Sequence, residues 1–408
     1  MDTPETNPRR DRGLMIAATA KIVRLDDRWF VPSQTTLNGV YEVNMGAAPH
    51  CTCPDHELRA LPCKHIFAVE FVQKRETAPD GTVTETRAVR VTYTQNWPAY
   101  NAAQTTEKAH FCRLLRDLCA GVPEPEQSRG RPRLPLSDML FAAAFKVYST
   151  VSARRFMTDL RDACADGFLS HAPHYNSIFN YLESADLTPV IHALITESSL
   201  PLKAIETDFA VDSTGFGTSQ FFRYYTAKYG KEQSGHDWLK LHAMVGVKTN
   251  VVTSVAVTDR DGADSPQFVS LVEATARNFA IAEVSADKAY SARNNLTAVD
   301  ALGATPYVPF KWNARGDGTH ALWNKLFHFF SLNREEFVAH YHKRSNVEST
   351  FSAVKRVFGD SLRSRTPVAQ VNEVLLKVLC HNIRCLIHAM HELGVTPMFS
   401  GMPAVRAQ

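Results

Sequence analysis

From Lys21 the chain alternates apolar and polar positions, Lys21-Ile22-Val23-Arg24-Leu25 and then Trp29-Phe30-Val31. It turns at Pro32 and Asn38-Gly39 and resumes at Val40-Tyr41-Glu42-Val43, which predicts a small β-hairpin. An apolar helical run follows through Ile66, Phe67, Val69 and Phe71, and another helix spans Lys108 to Cys119. Residues 137 to 200 read as helical throughout, with Ser137 and Ser152 placed to cap two helices and Tyr175, Ile178, Phe179 and Leu182 forming an apolar face after Pro173. From Ala204 the period drops to two. Ile205, Thr207, Phe209 and Val211 alternate along a strand ending at Asp212-Ser213-Thr214-Gly215-Phe216, and a hairpin follows, His242 to Val247 and Val251 to Val257. Next come a helix over Ser265 to Asn278, a strand over Ile281 to Ser285 with Asp287 beyond its end, a helix over Ala292 to Leu302, the strand Thr305 to Val308 and an insertion carrying Trp312 and Trp323. Tyr341, Arg344, Glu348 and Lys355, spaced by three, four and seven residues, share one helical face, with Val347, Phe351, Val354 and Phe358 on the neighbouring one. Val371 to Met390 is apolar at helical spacing, and its Cys380, His381, Cys385 and His388 read as core residues.

Three antiparallel strands followed by alternating helix and strand give an α/β fold class, a mixed sheet flanked by helices in RNase H-like order. It is preceded by a helical region and a small hairpin–helix module. With 408 residues the chain exceeds one ordinary core. The expected division is a disordered tail over 1–20, a module over 21–75, a linker region over 76–135, a helical DNA-binding region over 136–200, the sheet domain over 201–370 and a C-terminal helix and tail over 371–408. Short helices and tight turns at 136–200 suit a helix-turn-helix module and a plain helical bundle equally.

A hydrophobic fraction of 44% and a charged fraction of 21% are those of a globular protein, and no apolar run is long enough to span a membrane. Arg9, Arg10 and Arg12 ahead of Leu14 to Ala20 imitate a signal peptide, but Lys21 follows at once, and the reading is rejected. A net charge of +3 permits a nucleic-acid partner without requiring one. The local excess is more telling: Lys343, Arg344, Lys355, Arg356, Arg363 and Arg365 stand against Glu348 and Asp360. Arg129-Gly130-Arg131-Pro132 resembles an AT-hook, whose arginines enter the minor groove; a basic linker touching phosphates remains the alternative. Eight cysteines at uneven spacing do not form a secreted disulfide framework, so a reducing cytoplasm is expected.

Cys51, Cys53, Cys63 and His65, as C-x-C-x9-C-x-H, match the number and kind of ligand that a closed tetrahedral zinc site requires. His50 and His56 lie near enough to compete. The pattern and its lead-in of Trp29, Val31, Pro32, Ser33 and Tyr41-x-Val43 resemble the SWIM zinc finger. That family places the imidazole at His65, and the resemblance implies a structural Zn2+ in a module that binds DNA or protein.

Cutting a phosphodiester at neutral pH calls for two divalent ions held by carboxylates from separate elements. Period two leaves Asp208 and Asp212 on the same side of their strand, both eligible. The local sequences D-S-T-G-F at Asp212, A-D-K-A-Y at Asp287 and Y-x2-R-x3-E-x6-K over Tyr341 to Lys355 together resemble a DDE transposase of a group of bacterial insertion sequences, over about residues 136 to 390. The resemblance implies Asp212, Asp287 and Glu348 as catalytic ligands of Mg2+ or Mn2+, and Arg344, Lys355 and Tyr341 as contacts to DNA, with Lys288 a weaker candidate. It further implies cleavage at terminal inverted repeats, joining of the freed 3′-OH to target DNA in cut-and-paste fashion, a homodimer on double-stranded DNA, and action in the bacterial cytoplasm at the nucleoid. The competing readings are a domesticated, non-catalytic DNA-binding protein and a SWIM-mediated interaction protein.

Overall fold

The structure, a computed structural model, describes residues 8–34, 39–46, 48–76, 96–127, 130, 132–218, 238–316 and 319–399. Strands, in chain order, are β1 Val23–Leu25, β2 Arg28–Pro32, β3 Val40–Asn44, β4 His50–Cys51, β5 Asp208–Gly217, β6 Trp238–Gly246, β7 Val252–Thr258, β8 Glu283–Ala286 and β9 Thr305–Tyr307. The α-helices begin with α1 Pro8–Thr19, α2 Pro54–Arg59, α3 Lys64–Glu76, α4 Trp97–Thr105, α5 Glu107–Ala120, α6 Leu136–Ser149, α7 Ala153–Ala165 and α8 Tyr175–Leu182. They continue with α9 Leu187–Ser199, α10 Ser265–Ala276, α11 Arg293–Asp300, α12 Ala321–Leu332, α13 Arg334–Tyr341, α14 Ser345–Phe358 and α15 Pro367–Leu393. None of the helices is long and apolar enough to cross a membrane among the described residues. The chain divides into two compact units, Met1–Tyr93 with Ser291–Thr297 and Tyr307–His342, and Thr94–Tyr290 with Ala298–Pro306 and Lys343–Gln408.

In the first unit β1 to β4 form an antiparallel meander, so the expected hairpin gains two further strands. Trp29 pairs with Val43 and Val31 with Tyr41, and Trp29, Val31 and Val43 are buried. Of the stretch expected as a loose tail, Pro8–Thr19 is instead α1, with Gly13 to Ala18 buried. Its run Leu14 to Ala18 supplies the apolar face that a disordered tail lacks. Gly13 is what lets α1 meet α3, because a Cβ there would lie 2.5 Å from Phe67 Cβ and 2.8 Å from the Lys64 carbonyl. The insertion belongs to this unit as well. Arg334 donates to the Ala17 carbonyl at 3.3 Å, and Trp323, Phe327 and Phe330 gather around Phe310.

The second unit holds a mixed sheet in the order β7-β6-β5-β8-β9, with β5–β6 and β6–β7 antiparallel and β5–β8 parallel. This is the expected RNase H-like mixed α/β arrangement. The helices at 136–200, the sheet and α15 share one hydrophobic core, from Phe141 and Leu160 through Ala210 and Val245 to Leu379. They are therefore layers of one body rather than successive domains. Asn382 of α15 locks two of these layers, its Oδ1 accepting from Val252 N at 2.9 Å and its Nδ2 donating to Val252 O at 2.7 Å and Ser198 Oγ at 3.0 Å. Ser137 does not cap α6: Glu124 does, accepting from the amides of Leu136 at 2.6 Å and Ser137 at 3.0 Å. A carboxylate serves the exposed helix N-terminus better than a hydroxyl because it also meets the helix dipole.

Candidate active site and zinc centre

Parallel pairing of β5 with β8 matches Val211 to Ala286, the last residue of β8. Asp212 and Asp287 are each the next residue, so the register brings the two carboxylates to neighbouring positions where the shorter strand stops. Asp212 consequently sits within β5 rather than at its end. The strand continues to Gly217, paired there with β6. The expected end, Asp212 to Phe216, is all strand, and Gly217 closes it.

The helix expected over Tyr341 to Lys355 is broken into α13, a 3-10 turn over His342–Arg344, and α14. Val347, Phe351, Val354 and Phe358 are buried as the periodicity required. Asn346 Nδ2 donates to the Val247 carbonyl at 3.1 Å, pinning α14 beyond the end of β6. Glu348 then shares an open groove with Asp212, Ser213, Lys355 and Arg356. Between the acids lies Arg344, with Nη1 donating to Asp212 Oδ2 at 2.7 Å and Nη2 to Glu348 Oε1 at 2.5 Å. Asp212 also accepts from Ser213 N at 2.8 Å. Burial raises its pKa above the usual carboxylate range, and Asp287 and Glu348 raise it further against the opposing pull of Ser213 N–H and Arg344.

Asp212, Asp287 and Glu348 are not drawn into a tight ligand cluster of the kind the cysteines form. Their chemistry nevertheless fits a divalent cation: hard oxygens from three elements, mutually repelling and partly neutralised by one guanidinium. Asp208 is engaged elsewhere. With Glu283 it grips Lys343 Nζ, both oxygens at 2.7 Å, which leaves Asp212 as the strand's acid in the groove. Lys355 lies over the Phe216 ring at 5.5 Å, and burial lowers its pKa. Lys288 is exposed in the turn after Asp287. Tyr341 ends α13 in the first unit, stacked on Phe337 at 6.1 Å. Arg129 and Arg131 fall outside the described residues.

Sequence reading assigned no role to Lys343 or Asp264. Lys343 was counted only toward a local charge excess, and nothing in one sequence shows that its partners lie 135 and 60 residues away. Asp264 is 2.8 Å from Lys240 and 3.3 Å from His242 Nδ1, and the Ser213 hydroxyl hydrogen-bonds to it. His242 itself is fully buried with Nε2 2.9 Å from Thr258 Oγ1, a packed strand residue. This half-buried polar cluster, with His242 at its buried end, reaches the Ser213 side chain next to Asp212.

In the first unit Cys51 ends β4, Cys53 is the N-cap of α2, Cys63 precedes α3 and His65 lies in its first turn. All four are buried, and their ligand atoms lie within 4.8 Å of one another. His65 presents Nδ1 to the sulfurs, 3.7 Å from Cys51 Sγ and 3.9 Å from Cys63 Sγ. The hydrogen bond from Cys51 pushes the Cys63 thiol toward its thiolate, with His65 adding to the effect. His56 does not compete, because its Nδ1 is 2.9 Å from the Leu61 carbonyl. Three soft sulfurs and one imidazole, dry and preassembled, fit tetrahedral Zn2+ with no open position.

Residues 203–383 match the family model described as the transposase DDE domain, and residues 41–74 match that of the SWIM zinc finger. Over 181 residues the chain is 25% identical to the probable transposase for insertion sequence element ISA1214 of Archaeoglobus fulgidus, a match covering 44% of this chain and 54% of that protein. The chain thus spans about half the length of the curated relative.

Proposed function

We propose, for a chain whose residues 203–383 belong to the transposase DDE domains and residues 41–74 to the SWIM zinc fingers, that it is a DNA transposase of the cut-and-paste kind. It binds the terminal inverted repeats of an insertion sequence, hydrolyses the strand in a Mg2+-dependent reaction and joins the freed 3′-OH to target DNA. The observation that supports this reading most is the register of Val211 with Ala286, which sets Asp212 beside Asp287 in front of the helix that carries Glu348. Those three residues would hold the ions. When bound, a pair of divalent cations activates the attacking oxygen and neutralises the leaving one.

The chain's own groups do the rest. Lys355 borders the groove, Arg344 reaches its acids Asp212 and Glu348, and both hold phosphate oxygens next to the scissile bond when DNA is bound. Lys343 ties Asp208 and Glu283, the first residues of β5 and β8, to the turn that delivers Arg344, so strands and helix keep one relative placement. The Cys51, Cys53, Cys63 and His65 centre holds a structural Zn2+ that shapes the N-terminal module for DNA or for the partner copy in a homodimer on paired ends. The setting is the bacterial cytoplasm, at the nucleoid.

The test is to incubate the purified full chain with Mg2+, a duplex ending in the repeats that flank its reading frame, and a target plasmid. Strand cleavage at the repeat ends followed by covalent joining of their 3′ ends to the plasmid supports the proposal. Binding without cleavage in either Mg2+ or Mn2+ overturns it in favour of a non-catalytic DNA-binding protein.

A further inference from the structure

The acid groove does not end at Lys355. Beyond Asp212, β5 runs on to Gly217, whose N–H donates to Asp360 O at 3.0 Å and whose carbonyl accepts from Leu362 N at 2.8 Å. The segment leaving the glutamate helix is thereby stitched to the strand carrying Asp212. It leads into a second cleft, lined by Arg155, Arg363, Arg365, Thr218, Ser152 and Gln370 among others, with no carboxylate in its lining among the described residues. At about 3.3 Å per strand residue, Thr218 lies roughly 20 Å from Asp212. That is the reach of a few nucleotides.

The cleft is built rather than incidental. Glu373 of α15, 6% exposed, accepts from the backbone amides of Arg363 at 3.0 Å and Ser364 at 2.8 Å. Lys377, 1% exposed, donates to the carbonyls of Gly359 at 3.1 Å and Ser361 at 2.9 Å. Gln370 Nε2 donates to the Ser364 carbonyl at 3.2 Å, and Arg363 Nη1 to the Val151 carbonyl at 3.1 Å. Two buried ionic side chains are spent on holding one short loop, and what the loop presents is Arg363 and Arg365 facing Arg155 of α7. Among the described residues no ion pair neutralises these three arginines. All three are exposed, and Arg363 is oriented by its bond to the Val151 carbonyl; guanidinium groups gathered on a braced loop with no neutralising carboxylate are a receptor for phosphate oxygens.

We propose that this cleft seats the phosphodiester backbone of the strand flanking the bond to be cut, with Arg155, Arg363 and Arg365 as its phosphate contacts. The inference rests on the nuclease reading for its position, but not for the binding itself.

The experiment measures binding of the full chain to fluorescent DNA lacking any repeat sequence, as duplex in one arm and single strand in the other, over a salt series. Each phosphate contact contributes about 0.9 to the slope of log affinity against log salt for duplex and about 0.7 for single strand. Arg155→Ala, Arg363→Ala and Arg365→Ala should each shallow the slope by about one contact, and Arg365→Lys should restore it. The arm that responds identifies the form of DNA seated there. A triple alanine variant with the slope and affinity of the parent in both arms overturns the proposal. Glu348→Gln, measured in parallel, keeps the parent slope while losing nicking. If no protein nicks at all, yet the arginine variants lose slope, the cleft stands and the nuclease reading falls.

Discussion

Arg344 donates to Asp212 across 2.7 Å, and the same guanidinium reaches Glu348. Without it the acids face one another in a partly buried groove. Arg344→Ala should therefore be less stable than the parent in buffer free of Mg2+, by about 1 kcal/mol, and Mg2+ should recover more of that loss in the variant than it adds to the parent. Thermal melts with and without Mg2+ read both effects; equal stability without Mg2+ would show that Arg344 does not neutralise the acids.

Lys343 stands between Asp208 and Glu283 at the neighbouring ends of two parallel strands. Burial opposes its charge, but hydrogen bonds to the two carboxylates prevail and raise its pKa. Lys343→Met leaves a like-charge pair unbalanced on a partly exposed surface, where about 1 kcal/mol is the expected loss. Denaturant titration measures this loss. Nicking should fall further than stability does, because the strand ends and the turn bearing Arg344 lose their common tie.

Lys146 is buried, which lowers its pKa to about 8 from 10.5. In the unfolded chain the group keeps its proton up to about 10.5, whereas the folded chain releases it near 8. The proton therefore opposes folding fully below pH 8, and that opposition fades as pH rises from 8 to 10.5. The parent should gain stability relative to Lys146→Met across this window, by on the order of 2 kcal/mol. Parallel melting curves for the two proteins would contradict it.

Zinc removal should act on the first unit alone. Chelation, or Cys63→Ser, should expose the amides of β2 to β4 and α3 to rapid hydrogen exchange and abolish binding of one zinc per chain, since a structural site contributes folding energy directly. Slow exchange of β5 to β8 should persist, because the core around Ala210 and Leu379 contains none of the ligands.

Much of this was legible in the chain itself. Alternation from Ile205 to Val211, the apolar stripe from Val347 to Phe358 and the C-x-C-x9-C-x-H spacing are local signals, and local signals survive folding intact. Relations between distant residues are not written that way. Nothing near Pro8 reveals that α1 is buried and that Ala17 accepts a bond from Arg334, 317 positions on. Nor does Ser137 disclose that Glu124 caps its helix. Asp208 and Asp212 were indistinguishable by period two; the family resemblance favoured Asp212, and the engagement of Asp208 with Lys343, a partner 135 residues away, is a difference between them that no local pattern carries. The single helix expected through Tyr341 and Glu348 failed because periodicity does not register a 3-10 turn of three residues, His342–Arg344.

The most direct test of the central claim is Mn2+ titration of zinc-loaded protein bound to its end DNA, followed by a nicking assay on the same samples, for the parent and for Asp212→Asn, Asp287→Asn and Glu348→Gln. Three acids serving one ion pair should make each single substitution weaken Mn2+ binding by about tenfold or more and cut nicking by at least about a hundredfold. Unchanged Mn2+ binding, or nicking at the parent rate, in any one of the three variants would contradict the account.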